Sequence, residues 1–76
     1  MDKQQLALIL TMYYMGYRES FPEYADIQVI PVKDEDSYRE DPAVAKLLAD
    51  GYRFIDMNAF GDHNGLTGYA VILGKE

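Results

Sequence analysis

Residues 52–73, Tyr-Arg-Phe-Ile-Asp-Met-Asn-Ala-Phe-Gly-Asp-His-Asn-Gly-Leu-Thr-Gly-Tyr-Ala-Val-Ile-Leu, decide the fold. Two runs rich in aromatic and aliphatic residues, 52–59 and 67–73, flank the segment Gly61-Asp62-His63-Asn64-Gly65. Such runs read as strands, and Asn-Gly between them is the strongest short signal for a tight reverse turn. The stretch therefore predicts a C-terminal β-hairpin. Immediately upstream, Asp41 reads as an N-cap and Pro42 fills the first helical position, where its missing N–H costs nothing. Val44, Leu47 and Leu48 form an apolar stripe and Gly51 a stop, so a short helix precedes the hairpin.

Further upstream, residues 27–32 (Ile-Gln-Val-Ile-Pro-Val) are a strand-like run. Pro31 cannot donate to a ladder, which places it on an edge or at a strand end. The N-terminal segment reads as a helix over residues 2–17, with Asp2 as N-cap, Gln5 at capping-box spacing and Gly16 as a stop. Leu6, Leu10, Tyr13 and Tyr17 recur at helical spacing with Ile9 and Tyr14 beside them, while Ala7, Leu8, Met12 and Met15 make the helix apolar nearly all round. The expected architecture is a single α+β domain over residues 1–76 in the order α-β-α-β-β. It comprises an apolar N-terminal helix (2–17) and a βαββ unit (26–74), with the sheet covered by helices.

The first segment admits three readings: a face for self-association or a partner, a central helix wrapped by its own domain, or a buried strand, since a short apolar run is not typed by periodicity alone. Size favours a second chain. A chain of 76 residues without cysteine has no disulfide or thiolate metal site to reinforce a small core. A second copy of the chain or a different protein supplies that reinforcement, through the first helix or the edge strand near Pro31; a homo-oligomer is expected, with Leu6, Leu10, Tyr13, Tyr14 and Tyr17 at the contact. The apolar run 6–17 is shorter than the roughly 20 residues that span a bilayer. Asp2 and Lys3 cancel where a signal peptide wants net positive charge, so no membrane association and a cytoplasmic setting are expected.

Thirteen acids against seven bases give a net charge of −6. Residues 18–50 carry nine acids and four bases, so 4 − 9 = −5 of that charge lies in the middle of the chain. Phosphate backbones are bound by Lys and Arg displacing counterions, so direct nucleic-acid binding is not expected; a protein with a basic surface is the favoured partner. The densest stretch is residues 33–41, KDEDSYRED, read as an exposed loop. Asp34, Glu35, Asp36, Glu40 and Asp41 surround Tyr38, a residue type enriched at interface hot spots, and these six are the candidate partner-binding residues. A charge run is also what a plain solvated face looks like.

Chemistry is poorly provided for. Counting Asp56 as the first ligand of a calcium loop puts Phe60 at the fifth position and Thr67 where a bidentate Glu is required. One His and no Cys make no transition-metal set. His63 has turn-forming neighbours and no nucleophile placed beside it, and the phosphate-cradling Gly-Lys loop is absent. No catalytic residue, metal or cofactor is expected.

From Ala45 to the C-terminus the pattern resembles a small family of bacterial and phage proteins of unknown function. In that family a helix ending Leu-Leu-x-x-Gly-aromatic is followed by a strand, a glycine-rich turn and an aromatic-aliphatic strand that ends in a basic residue. Leu47, Leu48, Gly51, Tyr52, Gly65, Tyr69, Val71 and Lys75 carry the similarity, with Tyr52 where the family usually has Trp. The resemblance implies βαββ packing and nothing chemical. The functional expectation is a small acidic, non-catalytic accessory or inhibitor protein of a phage or mobile element that engages a basic partner. The alternative is a homo-oligomeric binder of a metabolite or nucleotide, held beneath tyrosines and the hairpin around His63.

Overall fold

In the computed structural model, which describes residues 2–76, an apolar run near the C-terminus organises the chain. Strand β3 (Gly65–Lys75) pairs antiparallel on one side with β1 (Asp26–Val32) and on the other with β2 (Arg53–Asp62), so the sheet order is β1-β3-β2. Strand residues alternate between the two faces, and a strand apolar on both must be covered on both. Ala70 and Ile72 join Ile27 and Phe60 in one buried cluster; Val71 and Leu73 join Val32 and Val44 in the other.

Each face has its own cover. Helix α1 (Lys3–Ser20) lays Leu6, Ile9, Leu10, Tyr13 and Tyr17 on the first cluster. On the second lie helix α2 (Pro42–Ala49), through Leu47 and Leu48, and Tyr38 from a short 3₁₀ helix (Tyr38–Glu40) between β1 and α2. The fold is thus a small α+β unit, an antiparallel three-stranded sheet with two α-helices.

Local signals explain most boundaries. The Asp41 carboxylate accepts from the backbone N–H groups of Ala43 (2.9 Å) and Val44 (3.3 Å), satisfying two of the donors that the start of α2 leaves unpaired. Asp2 caps α1 by accepting from Gln5 N–H at 2.8 Å. Gly16 does not end α1, which continues to Ser20. The stop comes at Phe21, whose N–H bonds Tyr17 O at 2.9 Å and whose ring stacks on Tyr17 at 5.9 Å. Proline at position 22 follows, where it cannot continue a helix.

The hairpin also closes differently from a plain Asn-Gly turn. Asp62 pairs with Gly65, and neither His63 nor Asn64 takes a positive φ; Gly65 does, at 125°. That is the pattern of a turn followed by a glycine bulge, with the register irregular at Phe60/Gly61 and Asp62 accepting from Asn64 N–H at 2.9 Å. A second irregularity between Phe54 and Asp56 turns Ile55 toward the α1 face.

Two glycines give opposite predictions. A methyl at Gly16 meets nothing within 4 Å, whereas one at Gly68 would lie 2.7 Å from the backbone oxygen of Val32. Gly16→Ala should raise stability by about 0.5–1 kcal/mol. Gly68→Ala should lower it by about 1–3 kcal/mol, both read from urea midpoints.

Candidate functional site

Beyond Val32 the chain leaves the sheet, makes the 3₁₀ turn and re-enters as α2 at Pro42. This detour bounds a cleft of about 510 Å³ at the end of the sheet, between the start of α1, the end of β1 and the hairpin. Its apolar wall is Leu6, Pro31, Val32 and Phe60, and its polar rim is Lys33, Asp34, Ser37, Glu40, Asp41 and Thr67. Phe60 is the cross-strand neighbour of Gly68, and a methyl there would lie in ordinary contact with its ring, 3.5 Å away. Three carboxylates against one ammonium leave the rim at 1 − 3 = −2.

The six acidic-loop residues divide. Asp34, Glu40 and Asp41 line the cleft; Glu35 and Asp36 are exposed outside it. Asp41 has a structural task as the α2 cap. Tyr38 is not a free aromatic anchor. The 3₁₀ turn rolls it onto the sheet, where it packs on the Val32–Val44–Val71–Leu73 cluster and meets the Phe54 ring at 5.3 Å. Arg39 covers it further, with Nε donating to the Tyr38 hydroxyl at 3.1 Å and the guanidinium 5.6 Å from the ring centre.

The five residues expected to meet a second chain divide as well. Leu6, Leu10, Tyr13 and Tyr17 face the chain's own sheet, because they form the stripe that covers Ile27, Phe60, Ala70 and Ile72. Tyr14 is 40% exposed, and the outward residues are Leu8, Met12 and Met15 at 62%, 64% and 62%. Leu6 also reaches the cleft, a role that helical spacing does not reveal, as do Phe60 and Thr67 from the hairpin.

Two tyrosine–aspartate pairs hold the layers together. The Tyr17 hydroxyl donates to Asp56 and accepts from Asn58 Nδ2 at 2.8 Å, tying α1 to β2. The Tyr52 hydroxyl donates to Asp26, which also accepts from Gln28 Nε2 at 2.9 Å, tying the end of α2 to β1. The hydrogen bond from Tyr52, then that from Gln28, holds Asp26 below the usual aspartate range. The same bond raises Tyr52, and burial followed by the Asp56 bond raises Tyr17. These are latches, with no nucleophile placed against them.

His63 is exposed at the hairpin tip, away from the cleft. Among the described residues no group of three or more His, Asp or Glu side chains is placed to hold a metal ion, and no helix is long and apolar enough to cross a membrane. No family model, curated protein or solved structure matches the chain.

The Tyr52–Asp26 latch has a defined pH signature. A carboxyl lowered in the folded state contributes stability above its unfolded value and loses it as pH falls through the lowered one. Tyr52→Phe should therefore lower the urea midpoint at about pH 7, and the gap to wild type should close as both are titrated to about pH 2. A gap of equal size in acid would show that the hydroxyl acts through packing alone. Separately, Asp41→Ala should cost about 0.5–2 kcal/mol through loss of the α2 cap, and Asp41→Ser should recover most of it.

Proposed function

We propose that this chain is a small acidic, non-catalytic binding protein, an accessory or inhibitor that engages a basic surface of a partner protein through the cleft at the end of its sheet. One observation carries the reading: an apolar wall of Leu6, Pro31 and Phe60 stands beneath a rim of Asp34, Glu40 and Asp41. A lysine or arginine is the side chain that fits both parts, its alkyl stem on the wall and its cationic head among the carboxylates. The five acids within residues 34–41 support this, because acidity gathered in the connection that borders the cleft steers a basic partner toward it. The reading includes a cytoplasmic setting.

A second reading is favoured by the cleft's size. About 510 Å³ falls within the roughly 300–1,000 Å³ typical of small-molecule sites, which suits a homo-oligomeric binder of a metabolite or nucleotide. Native mass spectrometry of the protein from its host separates the two, since a stoichiometric small molecule belongs only to the second.

For the first reading, the partner is captured from the host on wild-type protein and the capture repeated with Asp34→Asn/Glu40→Gln, leaving the Asp41 cap intact. Affinity should fall about tenfold at low salt, and its dependence on salt should flatten. Equal affinity and equal salt dependence would remove the cleft from the interaction.

A further inference from the structure

We infer that the outward face of α1 is a homodimer interface, in which two copies of this helix pack antiparallel across a two-fold axis near Met12. The proposal is independent of the cleft, which opens on the other side of Leu6. It begins from Leu8, Met12 and Met15, spaced i, i+4 and i+7 and therefore one stripe, each more than 60% exposed on a helix whose opposite side already covers the sheet.

Charge selects the occupant and its direction. Residues 4–17 hold no charged side chain, while the chain as a whole carries −6. Two copies meeting through residues 33–41, with five acids against two bases, would bring like charges together; the charge-free stretch of α1 avoids that repulsion. A parallel pair would set Glu19 beside its own copy. In the antiparallel pair the axis falls between Leu8 and Met15, and Glu19 lies over Gln4 of the partner. There its carboxylate meets amide donors in place of a second Glu19, at a helix end that the Asp2 cap and Lys3 leave with no net side-chain charge.

Area sets the strength. A standard interface takes about 800 Å² from each partner, roughly a sixth of the 5133 Å² this chain exposes. An 18-residue helix, about 27 Å long, does not supply that with one stripe, so its flanks must contribute. Both are grooved. Gly16, Ser20 and Phe21 border an uncharged hollow of about 340 Å³ beside Met12, and on the other flank Thr11, Tyr14 and Val29 border one of about 300 Å³ that also holds Asp26, whose carboxylate is already engaged by Tyr52 and Gln28. A contact built on one helix stripe and its flanks lies at the small end of the interface range, so the dimer is expected to be reversible.

Sedimentation equilibrium tests it. Wild type should move from 8.7 kDa toward twice that mass as concentration rises through the micromolar range, with little dependence on salt. Met12→Glu, which sets like charges together at the axis, should weaken the dimer at least about a hundredfold with unchanged circular dichroism. An equimolar mixture of Met12→Glu and Met12→Lys should restore the doubled mass. Leu8→Lys is a second variant on an exposed side chain, expected to dissociate the dimer in the same way. A wild type that stays monomeric at about 1 mM, where even weak contacts associate, would overturn the proposal. So would a dimer indifferent to both Met12→Glu and Leu8→Lys, which would place the contact elsewhere. Monomers that bind phosphatidylcholine vesicles through α1 would give the face to a lipid surface instead.

Discussion

The constraint on which the structure depends is the two-sided burial of one strand. Ala70, Val71, Ile72 and Leu73 are all fully inaccessible, and consecutive strand residues reach that state only where the sheet is covered on both faces. β3 must therefore be central, with β1 and β2 as edges, and the two helices must lie on opposite sides. Pro31 then falls on an edge strand, as its missing donor requires. The same constraint explains the tyrosines. A layer of 18 residues and one of eight over a three-stranded sheet leave margins, and aromatic bodies with a polar tip suit margins: Tyr17 and Tyr52 bury their rings at the edges and spend their hydroxyls on Asp56 and Asp26.

Covering both faces with one short chain also produces the cleft. The connection from β1 must bring α2 to the face that α1 does not cover, and residues 33–41 make that passage around the end of the sheet. Their acids are exposed by the passage, while Tyr38 and the Asp41 cap anchor it at the sheet and at α2. The detour leaves Leu6 and Pro31 partly uncovered, with the buried Phe60 behind them, beneath charged side chains, so an amphipathic hollow follows from the topology.

Local chemistry was the legible part. Asp41-Pro42 and Gly51 mark α2 because capping and proline geometry act within a few residues, and the hairpin and β1 are legible for the same reason. What was hidden depends on which surfaces meet. The near-uniform apolarity of residues 6–15 gives no sign of which α1 face the sheet takes, so Leu6, Leu10, Tyr13 and Tyr17 are as plausible outside as inside until the sheet is present. Tyr38 looks like a free aromatic among acids because nothing local shows that Phe54 and Val44 lie beneath it. The extension of α1 past Gly16 reflects tertiary gain over propensity: Tyr17 is needed on β2, and its bonds with Asp56 and Asn58 outweigh the roughly 1 kcal/mol that a mid-helix glycine costs.

The division of charge between the surfaces has a physical logic. An acidic cleft attracts basic partners over about a Debye length, but it also repels copies of the same chain. Self-association is favoured on a surface where that field is weak, and α1, with no charge between Gln4 and Tyr17, is the surface on which the proposed dimer is built. In that proposal the inner and outer stripes of one helix separate two tasks. Leu6 completes the cleft and Leu10, Tyr13 and Tyr17 seal the sheet, while Leu8, Met12 and Met15 stay exposed on the other side of the helix. In the antiparallel dimer each cleft lies beside the N-terminal half of α1, so two acidic rims sit toward opposite ends of the helix pair. That spacing limits their mutual repulsion and would let one dimer present two binding ends at once.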